Sequence, residues 1–221
     1  MFQEVHNCPQ LISLIKDIGF LPLLNNGIAG YSAEEIVDAD CRYIALPEGG
    51  WDWQLWKWKG PIVRDGDVVY GKFFGGKAGF VSREWWPDFC NYRRSAYPLP
   101  PENSIDDVIL QTLKANDSMI TRDLRRACGL SEANMRSFFD CRVTRLQIAC
   151  RMVTEDFVYP EDRHGRPFGW GWSLLTTPEK LYGVDACHCD RSPEESFKRI
   201  FSHLKDICPY AQDKAILKIL K

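Results

Sequence analysis

One stretch of the sequence combines aromatic rings with lysines in a pattern that suits nucleic acid. Aromatic side chains can stack on an unpaired base, and nearby ammonium groups can hold its phosphate. The tryptophans are Trp51, Trp53, Trp56 and Trp58, and the interleaved or nearby lysines are Lys57, Lys59, Lys72 and Lys77. Trp51 and Trp53 follow a Gly-Gly turn, so we expect these two to be exposed and able to stack on a base. Most of the other tryptophans we expect to fill a core.

A second stretch, from Met119 to Arg151, carries more arginines than acids. The arginines are Arg122, Arg125, Arg126, Arg136, Arg142, Arg145 and Arg151, and the acids are Asp123, Glu132 and Asp140. Such a local surplus of positive charge suits phosphate contacts. Helical projection places Arg142 on an apolar side. The candidate nucleic-acid contacts are therefore Arg122, Arg125, Arg126, Arg136, Arg145 and the nearby Gln147.

These residues lie in a succession of elements that is typical of a winged helix-turn-helix. Ser104 is a good N-cap for a helix that ends near Lys114. Thr121 to Cys128 forms a second helix, which Gly129 closes in the left-handed C′ position. A third helix, from Ser131 to Cys150, has the position of a recognition helix. Its polar face lacks the usual base-reading side chains, so a packing or partner-binding module is the alternative interpretation.

A β-hairpin follows the third helix and provides the wing. Residues 152–159 are rich in β-branched and aromatic side chains, and Phe168 to Leu174 alternates at period two. Arg163 and Arg166 lie at the charged tip, where winged helices often touch DNA and where surface turns also carry charge for solubility. We count both arginines as candidate nucleic-acid contacts.

The predicted fold class is α+β, with the winged helix-turn-helix (three helices plus a β-hairpin) joined to an aromatic-rich N-terminal domain that has a small antiparallel sheet. The proline-rich stretch at 98–101 indicates a stiff connector. The predicted regions are 1–97 for the N-terminal domain, 98–103 for the connector, 104–182 for the winged helix and 183–221 for a C-terminal helical tail. Within the first domain we expect strands at 61–63, 68–74 and 77–81, and a short helix from Ser82 that Pro87 stops.

Composition limits the class of protein. The chain has 221 residues, of which 45% are hydrophobic, enough for a sizeable core. Its net charge of −2 excludes a generic polyanion binder, and the first fifty residues are acidic. No apolar run approaches the length of a membrane span, and no secretory signal is evident, so we expect no membrane contact and a cytoplasmic location. No pattern indicates an oligomeric state.

The cysteines do not form a disulfide or metal framework. There are nine, an odd number, and several occupy apolar helix positions. The dense group Cys187-His188-Cys189 has no second pair with metal-binding spacing. We therefore expect reduced thiols, no metal and no cofactor.

Several short strings together resemble the bacterial AlkZ-related proteins, a distant branch of the YcaQ/AlkZ winged-helix DNA glycosylases. The strings in the first half are Trp58-Lys59-Gly60-Pro61, Tyr70-Gly71-Lys72-Phe73-Phe74, Lys77-Ala78-Gly79-Phe80 and Arg83-Glu84-Trp85. Those in the second half are Thr144-Arg145-Leu146-Gln147, Asp156-Phe157-Val158-Tyr159 and Gly165-Arg166-Pro167-Phe168-Gly169-Trp170-Gly171. The resemblance extends over about residues 40 to 182. It implies a fold of winged-helix units and an association with DNA repair.

The resemblance transfers no catalytic residue to this chain. The AlkZ glycosylases carry a catalytic Gln-x-Gln or Gln-x-Asp motif, and no glutamine here has Gln or Asp two places further on. A glycosylase needs a group that positions or activates water at C1′ of an extruded nucleotide, and Asp52, between two tryptophans, is the best substitute. A solvent-facing turn aspartate is the simpler interpretation of that residue.

Three hypotheses follow from these patterns. The first is a non-catalytic winged-helix protein that binds double-stranded DNA and is associated with repair or regulation. The second is a DNA glycosylase that acts on a modified base. The third is a protein-interaction module in which the wing and the tryptophan surface meet a partner chain.

Overall fold

The computed structural model describes residues 2–45, 49–165, 169 and 171–221. The helices are α1 (Cys8–Ile18), α2 (Ala33–Ile36), α3 (Ala39–Arg42), α4 (Gln54–Arg64), α5 (Trp86–Ala96), α6 (Ile105–Ala115), α7 (Thr121–Ala127), α8 (Arg136–Ile148), α9 (Pro178–Tyr182), α10 (Pro193–Ile207) and α11 (Asp213–Ile219). The strands are β1 (Phe20–Pro22), β2 (Tyr43–Ala45), β3 (Trp51–Trp53), β4 (Val68–Phe74), β5 (Lys77–Ser82), β6 (Met119–Ile120), β7 (Val153–Val158) and β8 (Trp172–Thr176).

A mixed α/β fold is built around an antiparallel sheet of six strands. Their order is β1-β5-β4-β7-β8-β6, and β2 and β3 form a separate antiparallel pair. The first three strands precede residue 97 and the last three follow residue 104. The two groups meet where Tyr70 of β4 pairs with Thr154 of β7. One sheet therefore continues from the first half of the chain into the second.

Two clusters of buried apolar side chains lie on this frame. The larger one joins α1, α4, α5 and the β1-β5-β4 strands, and it includes Ile200, Leu204, Ile216 and Ile219 from the last two helices. The smaller one draws only on residues 109–175, with Leu124 of α7 and Phe139 of α8 at 0% exposure. The C-terminal helices therefore complete the core of the first half, while the region from α6 to β8 has a core of its own.

Helix ends follow the local signals in the sequence. The Ser104 hydroxyl accepts the backbone N–H of Asp107 at the start of α6. Ser192 and Glu195 form a reciprocal capping box at the start of α10. Gly129 has a φ of 71° just after α7, which is the left-handed conformation expected of a glycine that closes a helix.

The strand predicted at 61–63 is wrong, because these residues form the last turn of α4. Pro61 lies inside this helix and cannot donate a backbone hydrogen bond. Burial explains the outcome: Leu55, Trp58, Ile62 and Val63 recur at helical spacing and pack into the larger core. Strand β4 pairs instead with β5 and β7.

Two other boundaries differ from the prediction. Pro87 opens α5 instead of stopping a helix, since proline is well tolerated in the first turn, where its missing N–H has no partner to lose. The third helix of the second half begins at Arg136, after a 3-10 turn over Ala133–Met135, and not at Ser131.

None of the helices in the described ranges is long and apolar enough to cross a bilayer.

Candidate nucleic-acid interface

Helix α7 carries three of the predicted contacts on a firmly placed support. Leu124 anchors the helix in the smaller core, and the Thr121 hydroxyl donates to the carbonyl of Ser173 on β8 across 3.2 Å. The Arg122 guanidinium lies over the ring of Trp172, 4.8 Å from its centre. Arg122 is thus held at the junction between α7 and the first residue of β8.

The charges on α7 are only partly neutralised. The Asp123 carboxylate lies 2.6 Å from Arg126 and 3.4 Å from Arg122, so one acid serves two exposed arginines. Arg125, between them in sequence, is half-buried. Exposed ion pairs of this kind contribute little stability, which leaves the arginines able to exchange Asp123 for a phosphate.

Helix α8 offers Arg136 and Arg145 to solvent, at its first turn and near its end. Arg145 is 61% exposed, and its Nε lies 3.7 Å from the Asp106 carboxylate. Arg136 is exposed in the first turn of the helix, within the part of the chain nearest α7 in sequence. The two arginines are nine residues apart, which places them on roughly opposite sides of the helix.

Gln147 does not share this exposure. Its side chain is 3% exposed, and its Oε1 accepts the backbone N–H of Lys72 on β4 across 2.6 Å. The Lys72 ammonium also donates to the Thr144 hydroxyl, 3.2 Å away. Strand β4 therefore covers this side of α8. The expected contact of Gln147 with nucleic acid does not fit its buried position, and we leave it out of the interface.

The predicted wing tip is described only in part. Arg163 and His164 are exposed, and Arg163 Nε donates to His164 Nε2 across 3.1 Å. The His164 N–H donates to the Asp162 carboxylate, and Gly165 has a φ of 74°. These bonds form a tight charged turn beyond β7. Arg166, the other predicted contact at this tip, lies outside the described residues.

Asp52 and the tryptophans beside it form a second candidate site on strand β3. Trp51 is 73% exposed, as expected for a stacking residue, whereas Trp53 is half-buried with its ring 5.0 Å from that of Trp56. One Asp52 oxygen accepts the backbone N–H of Trp53, and the other lies 3.7 Å from the Lys57 ammonium. Gln54, at the start of α4, has a buried amide oxygen without a hydrogen-bond partner in the described residues.

Lys59 is the residue of this site whose role the sequence did not reveal. Its side chain is 4% exposed, and the ammonium lies 4.3 Å from the ring centre of Trp56 and 4.0 Å from that of Phe157. No carboxylate of the described residues pairs with it. Burial lowers the pKa of Lys59 to about 8. The sequence did contain one signal for the contact with Trp56: Lys59 lies three residues after it on the same helix.

Tyr159, just after β7, contacts the helix that carries this lysine. Its hydroxyl donates to the carbonyl of Trp56 across 3.4 Å, and its pKa is raised by burial first and then by the nearby Asp52. A carboxylate, a lysine of low pKa and several aromatic rings thus lie at the junction of α4, β3 and β7. Such groups can hold an aromatic ligand and move a proton.

The side chains of Cys187, His188 and Cys189 do not point to one common position where a metal ion could bind. Cys187 lies with its sulfur 3.2 Å from that of Cys90, Cys189 donates to Asp88, and His188 contacts Asp190. In the described residues, the ligand atoms of His6, Asp38 and Cys41 do lie within 4.8 Å of one another. Partly exposed clusters that contain an acid often occur without a bound ion. We therefore assign no metal site to these three residues.

Comparison with known proteins places the chain in a family. No curated protein and no solved structure matches it. The family model described as AlkZ related matches residues 5–221, which is more of the chain than the strings between residues 40 and 182. The protein therefore belongs to the AlkZ-related family, and this relationship suggests a function associated with DNA repair.

Proposed function

We propose that the protein is a non-catalytic DNA-binding protein associated with DNA repair, and that residues 104–182 form a winged helix. The order α6, β6, α7, α8, β7, β8 supports this assignment, as does the pairing of β8 with both β6 and β7. The separate core of this region also supports it. In this arrangement α8 is the recognition helix, and the segment between β7 and β8 is the wing.

One observation carries the proposal: the exposed arginines of α7 are fixed beside the base of the wing and share a single acid. Arg122 packs on Trp172, and Asp123 is the acid that contacts both Arg122 and Arg126. Phosphate oxygens accept strong bonds from guanidinium groups and neutralise their charge. The α7 surface therefore suits the backbone of a duplex.

The covered side of α8 determines how a duplex could approach. Since β4 occupies the side around Thr144 and Gln147, the middle of the helix is not free to enter a major groove. We infer that DNA lies across α7, the first turn of α8 at Arg136 and the wing tip at Arg163. Contacts of this kind read the phosphate backbone and not the base sequence.

Salt dependence tests this proposal. Binding of a labelled duplex is measured by fluorescence anisotropy at several salt concentrations. Five phosphate contacts, from Arg122, Arg125, Arg126, Arg136 and Arg163, would lower the affinity about 500-fold between about 50 and 200 mM salt. Duplexes of unrelated sequence should bind alike. An affinity that does not change with salt would reject the arginine surface as the binding site.

Base excision at the Asp52 site is the second candidate function. The observation that favours it is the amine of Lys59, which lies between two aromatic rings, with Tyr159 bonded to the same helix and close to Asp52. An extruded base could stack on the rings while Asp52 activates water. Release of free base from lesion-containing duplexes tests this function. If the intact chain releases base and Asp52→Asn abolishes this release without changing the melting temperature, the protein is an enzyme. In the same assay, the Trp53→Ala variant tests whether the base stacks on Trp53.

A further inference from the structure

A cavity of about 550 Å³ lies between the proline-rich connector, the first turn of α6 and one side of α8. Tyr97 and connector residues 98–101 form one side, α6 contributes Asp106, and the other charged lining residues are Arg142, Arg145 and Arg151. This volume falls within the range of about 300–1,000 Å³ that is usual for small-molecule sites. None of the three arginines belongs to the α7 surface.

The cavity has an excess of positive charge. Arg142 Nε and Arg145 Nε lie 3.8 and 3.7 Å from the two Asp106 oxygens, within ion-pair distance but too far for hydrogen bonds. Arg151 instead donates from Nη2 to the carbonyl of Tyr97 across 3.3 Å. Three guanidinium groups and one carboxylate leave a formal charge of about +2. A ligand of charge near −2 would neutralise it.

Buried polar atoms in the wall lack partners. The Nε atoms of Arg142 and Arg151 and Oδ1 of Asp106 are buried without a hydrogen bond in the described part of the chain, and Asp106 is only 8% exposed. Buried polar groups are normally bonded, and each exception requires an explanation. The arginines need acceptors, whereas Asp106 needs a donor. A ligand that carries both acceptors and a donor would satisfy these atoms.

The cavity wall already holds two of the three arginines in position. The Arg142 guanidinium lies 4.7 Å from the ring centre of Phe138, and Arg151 is bound to the carbonyl of Tyr97, just before the connector. These two side chains would lose little freedom on binding, which favours affinity. Phe138 and Tyr97 also provide aromatic surface beside the charged groups.

We propose that this cavity binds a nucleotide that ends in a phosphate monoester. The phosphate contacts Arg142, Arg145 and Arg151, and Asp106 accepts a hydrogen bond from a base amine or a sugar hydroxyl. A phosphate monoester carries about −1.5 to −2 charges at pH 7, whereas an internal phosphodiester carries about one. The charge of the cavity therefore favours a free mononucleotide or the phosphorylated 5′ end of a strand. This proposal does not depend on duplex binding by α7.

Calorimetric titration of the full chain tests the site. Deoxyadenosine 5′-monophosphate should bind at least about tenfold more tightly than deoxyadenosine, because the latter lacks the phosphate. Arg142→Gln, Arg145→Gln and Arg151→Gln should each weaken binding about tenfold. Lys218→Gln, an equal loss of charge on α11, should not. Absence of binding by the intact chain, or equal effects of all four substitutions, would overturn the proposal.

Two further measurements keep the test independent of folding defects. Asp106→Asn raises the charge of the cavity, so it should strengthen the binding of inorganic phosphate; unchanged or weaker binding by a variant with the native melting temperature would contradict the site. Oligonucleotides with and without a 5′ phosphate identify the source of the ligand. If the 5′ phosphate raises the affinity of the oligonucleotide and Arg142→Gln removes this gain, the ligand is a strand end. If the mononucleotide binds more tightly than the oligonucleotide, the ligand is a free nucleotide. Either result supports the proposal. Failure of duplex binding at α7 would leave these results unaffected.

Discussion

The side-chain oxygen of Gln147 accepts the backbone N–H of Lys72 across 2.6 Å, although the two residues are 75 positions apart. This bond ties α8 to the central strand β4 of the first half. Together with the pairing of Tyr70 and Thr154, it makes the two halves of the chain share one sheet and one helix packing surface. The recognition-helix position is therefore also a structural joint.

Loss of this joint should destabilise the protein. Gln147→Ala removes the acceptor for the Lys72 N–H and should lower the free energy of unfolding by about 1–3 kcal/mol, the cost of an unpaired buried donor. Urea titration measures the change. Gln111→Ala is the control, because Gln111 is exposed and its side chain donates one local hydrogen bond, to Asp107, so its effect should stay within about 0.5 kcal/mol. Equal effects would contradict a structural role for Gln147.

The buried amine of Lys59 should make stability depend on pH. Its pKa is lowered to about 8 in the folded chain from 10.5, so between these values the unfolded chain binds more protons, and stability rises with pH. Lys59→Met removes the charge and should stabilise the protein by about 1 kcal/mol at neutral pH, with a gain that shrinks towards alkaline pH. Urea titrations across this range compare it with Lys57→Met, whose exposed amine should give no such trend. If the stabilisation by Lys59→Met did not change with pH, the charged form of Lys59 would not be destabilised by burial.

Asp88 should anchor the C-terminal helices through buried charge. Burial would raise the pKa of Asp88, but the Ser196 hydroxyl, Arg199, Cys189 and Arg191 together hold it below its usual value. Asp88→Ala removes the carboxylate that Arg191 and Arg199 share and the acceptor of the Ser196 hydroxyl, and it should cost about 1–3 kcal/mol in a urea titration.

The pH response of this anchor has a defined direction. Because the pKa of Asp88 is lower in the folded chain, its contribution is complete above the unfolded value of 3.8 and is lost as the pH falls through the folded value. Asp206→Ala, which removes an exposed acid of α10, the helix that Asp88 contacts, is the matched control. Acid unfolding that is identical in the two variants would show that Asp88 has no anchoring role.

The wing tip should contribute to DNA affinity and not to stability. Arg163→Ala with Arg166→Ala removes two cations, and Arg163 is exposed, so duplex affinity should fall about tenfold at low salt while the melting temperature stays unchanged. Anisotropy and thermal unfolding measure the two quantities. If both stay the same as in the intact chain, the tip is a solvated turn only.

Local signals explain how much of the fold could be predicted. The cap at Ser104, the closing Gly129 and strand β4 at 68–74 all lie where short-range patterns indicated. Helix α4 was missed because Pro61 and the aromatic residues favour strand or turn, whereas burial of Leu55 and Ile62 selected the helix. Packing overrode propensity there.

The candidate sites could be predicted less well than the helix ends, because they depend on contacts between residues that are distant in sequence. The exposure of Trp51, Arg122 and Arg126 followed from composition and spacing. The burial of Gln147 and the arginine cavity did not, because the packing of α8 against β4 and the connector joins segments far apart in sequence. Lys59 was counted as a phosphate contact, but the approach of Phe157 from β7 placed it under aromatic rings.

Charge reversal on α7 is the most direct test of the central claim, that this helix binds the DNA backbone. Arg122→Glu with Arg126→Glu should weaken the binding of every duplex at least about tenfold at low salt and should lessen the dependence on salt. The control is Lys198→Glu with Lys214→Glu, the same change of charge on α10 and α11. Fluorescence anisotropy should show strong weakening for the arginine pair and little for the lysine pair. Equal affinity of the two folded variants would contradict the account.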